Sequence, residues 1–146
     1  MGPDGGDGIL GEARILIVED EVLIAFDLRD CFVEAGARSV IMAHTLAEAL
    51  TAARRSLFTV AVLDVRLGAD SAGPVADLLT ARGIPFVFYS GQPATDPVRT
   101  AFPDTPVVIK PADARVVAHL AGQLALAAHE PESAGRPRDR VERTAT

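Results

Sequence analysis

Val60-Ala61-Val62-Leu63-Asp64 is a run of four apolar residues, two of them β-branched, that stops at a carboxylate. Such a run fits a strand buried on both faces, as in a parallel sheet covered by helices. Val65-Arg66-Leu67 follows, and then Gly68, a turn residue. Ligands of open α/β sheets gather outside the carboxyl ends of the strands. Asp64 is therefore expected at that edge, with its backbone fixed by the sheet and its carboxylate facing water. A strand that ends in Asp is also ordinary turn or N-cap chemistry. What the other strands deliver to the same edge decides between the two.

Arg14-Ile15-Leu16-Ile17-Val18 repeats the pattern and ends in Glu19-Asp20-Glu21. The helix macrodipole favours an acid at a helix start, but that accounts less well for three in a row directly after a buried strand. A helix should follow, with Ile24, Leu28, Cys31 and Ala35 on its inner face, Leu23, Phe26 and Val33 widening the stripe, and Gly36 as its C′ residue. Residues 39–44 read as a strand. Thr45-Leu46-Ala47-Glu48 has capping-box spacing and opens a helix with Leu46, Leu50, Ala53 and Leu57 on one face. His44 has no Cys or His at ligand spacing and reads as structural.

After the loop 68–73, where Asp70 or Ser71 can cap, a short helix carries Val75, Leu78 and Leu79 and closes at Gly83. Residues 84–89 form a fourth strand that delivers Ser90-Gly91. Prolines at 93, 97, 103 and 106 make any helix in that region short or irregular. Val107-Val108-Ile109 delivers Lys110-Pro111, and a last helix from about Asp113 places Val116, Leu120, Leu124 and Ala127 inward. Five alternations of strand and helix predict a parallel sheet between helices, with the first and fifth helices on one face and the second to fourth on the other.

The 146 residues suffice for one well-packed domain, with a leader over 1–12, a body over 13–128 and a tail over 129–146, both ends reading as disordered. The opening lacks the basic start and apolar core of a signal peptide, and no apolar run approaches a membrane span. The single Cys31 excludes an internal disulfide and fits a reducing compartment, so a cytoplasmic location is expected. A net charge of −6 argues against a nucleic-acid surface. Of fourteen basic residues only one, at position 110, is Lys. Lys is a compact charge on a flexible stem, not a planar fork, so the choice matters at a crowded anion site.

Four strands thus bring Glu19-Asp20, Asp64, Ser90 and Lys110 to one rim. Converging carboxylates repel one another unless a cation joins them, and oxygen donors without Cys or His select Mg²⁺ or Mn²⁺. A Lys and a hydroxyl are the partners a transferred phosphoryl group needs, and Asp64 on the central strand is the natural nucleophile. Neither G-x-G-x-x-G nor a G-x-x-x-x-G-K-[ST] loop is present, which excludes a nucleotide-binding Rossmann domain.

With Val18-Glu19-Asp20-Glu21, Leu63-Asp64, Ser90-Gly91 and Lys110-Pro111 in this order, residues 13–128 resemble a response-regulator receiver domain. The resemblance implies a flavodoxin-like (βα)5 fold, a doubly wound five-stranded parallel sheet of order 2-1-3-4-5. It also implies that Asp64 accepts a phosphoryl group from a sensor histidine kinase or histidine phosphotransfer protein. Asp20, Asp64 and the Arg66 backbone carbonyl would bind the metal directly, and Glu19 through water. Ser90 and Lys110 would contact the phosphoryl oxygens, and the Lys110–Pro111 bond would be cis. No catalysis is implied beyond the domain's own phosphorylation and dephosphorylation.

Receivers of the common type have Pro at the position of Gly68 and an aromatic at that of Val107. Residues 63–68 and 85–91 instead resemble the mostly single-domain alphaproteobacterial subclass named for its Phe-Ala-Thr-Gly motif, from which Tyr89, Ser90 and Gln92 depart. The expectation is a stand-alone switch or phosphate sink, monomeric or weakly dimeric. The alternative is a phosphorylation-independent protein-binding module on a receiver fold. A haloacid-dehalogenase-type phosphatase is excluded, because Arg66 stands where its signature has a second Asp.

Overall fold

The computed structural model describes residues 10–129. In chain order its elements are β1 (Arg14–Val18), α1 (Val22–Glu34), β2 (Ser39–Ala43), α2 (Leu46–Arg55), β3 (Val60–Leu63), β4 (Arg66–Leu67), β5 (Asp70–Ser71), α3 (Gly73–Ala81), β6 (Phe86–Ser90), α4 (Pro97–Ala101), β7 (Val107–Ile109) and α5 (Ala114–His129). Five strands pair in parallel in the order β2-β1-β3-β6-β7. Leaving aside the two-residue arms β4 and β5, this is the expected 2-1-3-4-5 order of a flavodoxin-like fold.

Strand alternation sorts the core into two layers. Leu16, Val18, Ala61, Leu63, Phe86 and Phe88 face one side and pack with α2, α3 and Val98 of α4. Ile15, Ile17, Val60, Val62, Val87 and Tyr89 face the other and pack with α1 and α5. The helices divide as predicted. Both faces of β3 are buried, which is why its sequence is apolar without alternation.

Several details differ from the sequence reading. Leu10, placed in the leader, is buried and donates its N–H to the Ala35 carbonyl at 3.1 Å, so the body extends at least to residue 10. Residues 1–9 of the leader and residues 130–146 of the tail lie outside the described residues. On α1 the buried positions are Ala25, Leu28 and Phe32, while Leu23, Phe26 and Val33 are exposed. On α2 they are Ala49 and Ala53, and Leu57 lies past the helix end, exposed. On α5 they are Val117, Ala118, Ala121, Gly122 and Ala125, one step round from the predicted stripe, with Val116 and Ala127 exposed. At Ala25, Ala49, Ala53, Ala118, Ala121 and Ala125 a small residue lets the helix sit close to the sheet, where a larger one would force it away.

Residues 66–71 form an unanticipated antiparallel ribbon, Arg66 opposite Ser71 and Leu67 opposite Asp70. Its turn requires Gly68, whose φ is +65°. Ser71 Oγ accepts the Gly73 N–H at 3.2 Å, at the start of α3. No helix among the described residues is long and apolar enough to cross a membrane.

Candidate functional site

The sheet register delivers the polar residues side by side. Val18 stands opposite both Ala43 and Leu63, and the ladder continues past the strand ends: Glu19 N–H donates to the Ala43 carbonyl at 3.0 Å and Asp64 N–H to the Val18 carbonyl at 2.8 Å. On the far side, Lys110 N–H donates to the Ser90 carbonyl at 3.0 Å. Backbone hydrogen bonds thus fix the origins of all four side chains before any side-chain chemistry begins. The Lys110–Pro111 bond is cis, as expected.

Lys110 is the hub. Its Nζ lies 2.9 Å from Glu19 Oε1, 3.0 Å from Asp64 Oδ2 and 3.9 Å from Glu21 Oε2. Glu19 is buried and Asp64 nearly so. Burial drives the Glu19 pKa up to about 7; the hydrogen bond from Lys110 opposes this and the charge of Asp64 adds to it. Desolvation alone would lower the Lys110 pKa, but its hydrogen bonds to Glu19 and Asp64 outweigh that and hold it above the ordinary value. One ammonium therefore faces more carboxylate charge than it can neutralise.

Asp20 turns outward, and its Oδ2 accepts the Gly68 N–H at 2.9 Å. This gives a physical reason for Gly68: a proline has no N–H to donate and cannot adopt φ +65°. Ligand oxygens of Glu19, Asp20 and Glu21 lie within 4.8 Å of one another. Asp64 is not part of that group, its Oδ2 being engaged by Lys110. The donors suit a hard divalent cation: all oxygen, no sulfur or imidazole among them, and an excess of negative charge with one member buried. Glu21 joins the set that sequence reading assigned to Glu19, Asp20, Asp64 and Arg66.

Arg66 N–H points to Asp64 Oδ1 at 3.4 Å, a weak contact, while the side chain runs the other way to Asp96. Ser90 is fully buried and its Oγ accepts the Gln92 N–H at 2.9 Å, which orients the hydroxyl at the rim. A side chain built on Gly91 would meet only open space. His44 is structural, as expected: its Nδ1 lies 3.0 Å from the Glu19 carbonyl, and its N–H donates to Glu48 Oε1 at 2.8 Å. The capping box holds in one direction, since Thr45 Oγ1 accepts the Glu48 N–H.

Sequence reasoning missed two members of this neighbourhood. Asp96 is buried, caps α4 and binds Arg66; the Asp-Pro dipeptide at a helix start was its local signal. Tyr89 is buried beside the Lys110 segment and hydrogen-bonds to Ala112.

No family model matches the chain, and no curated protein matches its sequence. Solved structures match by fold. The response regulator receiver protein from Sinorhizobium medicae superposes with a TM-score of 0.70 at 22% identity, over 80% of this chain and 96% of that one. A CheY-like response regulator receiver domain protein from Methanospirillum hungatei gives 0.65 at 21%, over 77% and 94%. The response regulator PhyR from Brucella abortus gives 0.64 at 26%, over 85% of this chain and 52% of its own, so this chain spans about half of it. With its strand order and these neighbours, the chain has the fold of response-regulator receiver domains.

Proposed function

We propose that the chain is a phosphorylatable receiver of a bacterial two-component system, in which Asp64 takes a phosphoryl group from a phosphohistidine of a sensor histidine kinase or histidine phosphotransfer protein. The observation that carries this is the placement of the chain's one lysine, whose Nζ is 3.0 Å from Asp64 Oδ2 and 2.9 Å from Glu19 Oε1. An Asp64 carboxylate oxygen forms the new bond to phosphorus as the phosphorus–nitrogen bond of the donor breaks. The electron pair leaves with an imidazole protonated on its other nitrogen. Lys110, already donating to Asp64, shifts to a phosphoryl oxygen, and the Ser90 hydroxyl donates to another.

Glu19, Asp20, Asp64 and the Arg66 carbonyl would hold Mg²⁺ or Mn²⁺, with Glu21 at the margin. Bound there, the cation supplies positive charge against the carboxylates and the incoming phosphoryl oxygens. The chain's own catalysis is confined to gaining and losing its phosphoryl group. Phe88, Gly91 and the residues after Asp64 ally it with the Phe-Ala-Thr-Gly subclass.

The test is intact mass after incubation with Mg²⁺ and phosphoramidate or acetyl phosphate, on the wild type and on Asp64→Asn. One phosphoryl group should appear on the wild type and none on the variant. An unmodified wild type, with beryllofluoride leaving the melting curve unmoved, would favour a phosphorylation-independent binding module instead.

A further inference from the structure

Tyr89 is the residue of β6 just before Ser90, on the α1–α5 side of the sheet. It is 5% exposed, and a phenylalanine would fill the same core space. A buried phenol hydroxyl is costly unless it has a partner. This one has a single partner residue engaged twice: it donates to the Ala112 carbonyl at 2.8 Å and accepts the Ala112 N–H at 3.2 Å.

Ala112 lies two residues beyond Lys110, and the Lys110 N–H is itself fixed on the Ser90 carbonyl at 3.0 Å. The segment 110–112 is therefore pinned at both ends by consecutive residues of β6, at one end through the backbone of Ser90 and at the other through the side chain of Tyr89. The ring also lies under the ammonium, with Lys110 Nζ 5.4 Å from its centroid. A free lysine side chain samples many rotamers, and holding one in a working position is entropically unfavourable unless its surroundings are already set.

We propose that Tyr89 is a positioning residue for phosphoryl transfer at Asp64: its hydroxyl clamps Ala112, and the clamped segment holds the Lys110 ammonium against Asp64 and Glu19. This rests on the reading of Asp64 as phosphoacceptor. The Tyr89 hydroxyl is engaged by Ala112, and its role is exerted through Lys110.

Tyr89→Phe keeps the ring and removes both hydrogen bonds. Since a displacement of about 1 Å at a reacting centre can lower a rate by up to about 100-fold, phosphorylation by phosphoramidate with Mg²⁺ is expected to slow about tenfold. Because Lys110 is the only lysine, ¹⁵N-lysine labelling yields one side-chain ammonium resonance. It should be displaced from the free-lysine position in the wild type and move back toward it in Tyr89→Phe, a change that loss of core packing alone would not produce. Tyr89→Leu, which lacks ring and hydroxyl, should be at least as slow. A Tyr89→Phe protein with wild-type rate and an unmoved lysine resonance overturns the proposal, even if its melting temperature falls. So does a wild-type Phe variant beside an impaired Leu variant, which would assign the role to the ring. A wild type that takes up no phosphoryl group removes the phosphoacceptor reading itself, whereas a phosphorylated wild type and an unaltered Phe variant remove only the role of Tyr89.

Discussion

Arg66 reaches across thirty residues of sequence to Asp96, donating from Nε at 3.1 Å and Nη2 at 2.9 Å to the same carboxylate oxygen. The other oxygen of Asp96 accepts the Val98 N–H at 2.8 Å and caps α4. Two residues beyond Asp64, the chain is thus tied to the first turn of the helix across the rim. Receivers of the common type carry an aromatic at the position of Val107; here Val107 packs into the core layer under α2–α4, and the tie to α4 runs through a charge pair.

Removing Asp96 should therefore do two separable kinds of damage. Asp96→Ala loses a helix cap, worth about 1 kcal/mol, and a charge-assisted pair whose Arg66 side chain is 38% exposed and becomes hydrated when released. The expected loss is about 2 kcal/mol in urea unfolding. Asp96→Asn keeps the cap and should cost about half as much, as should Arg66→Met. A double-mutant cycle of Asp96→Asn with Arg66→Met should show coupling of at least about 0.5 kcal/mol. Strict additivity would mean the pair contributes nothing.

Gly68 carries two requirements at once, a positive φ and an N–H for Asp20. Gly68→Ala retains the N–H and has room for its Cβ, so it should cost only the left-handed backbone penalty, about 1 kcal/mol. Gly68→Pro introduces the residue that receivers of the common type carry at this position but loses both features. It should destabilise by about 3 kcal/mol or more and release Asp20. Thermal melts and Mg²⁺ titration of the two variants distinguish these effects; a Pro variant as stable as the Ala variant would show that the loop has a second conformation.

The strands and their polar endings were legible because a buried parallel strand has to be continuously apolar, so Ile15–Val18 and Val60–Leu63 stand out, and the acids that stop them stand out equally. The helix faces were less legible. Val22-Leu23-Ile24-Ala25-Phe26 is apolar all round, leaving no periodicity to choose Ala25 over Leu23, and in α5 the buried side chains are Val117 and three alanines while Val116 and Leu126 face outward. The Arg66–Asp96 pair has no local signature at all, since its partners meet only once β3 and β6 are neighbours in the sheet. Tyr89 was visible as a departure from a motif, but the Ala112 backbone it binds was not.

The Glu19 carboxyl gives the metal-free protein a pH dependence of definite sign. Its folded pKa, about 7, lies above the unfolded value of 4.5, so the folded state binds the extra proton. Stability is then fully present below about pH 4.5 and declines as pH rises through about 7, by at most about 3 kcal/mol. Lys110, raised above its ordinary value, stays charged throughout this window and adds no slope. Urea midpoints of metal-free protein should fall between pH 5 and pH 8, and the fall should be largely absent in Glu19→Gln. Millimolar Mg²⁺ should raise the melting temperature more at pH 8 than at pH 6, because the proton must leave before a cation enters. A melt indifferent to Mg²⁺ at pH 8 would count against the metal site.

Lys110→Met isolates the hub itself. Methionine matches the length and apolar character of the lysine stem, so packing is nearly conserved and the loss is that of the ammonium between Glu19 and Asp64. Breaking a buried pair commonly costs about 3–5 kcal/mol because a charge is stranded. Here Glu19 has an escape, since it can take up a proton. At pH 5 the variant should be only about 1 kcal/mol less stable than the wild type, and at pH 8, where the proton is harder to acquire, about 3 kcal/mol less. Mg²⁺ should recover more stability in the variant than in the wild type, because the cation then supplies charge that Lys110 no longer does. Denaturant unfolding at the two pH values, each with and without Mg²⁺, reads all of this in one protein pair; a deficit that is the same at both would place the role of Lys110 in packing and not in charge.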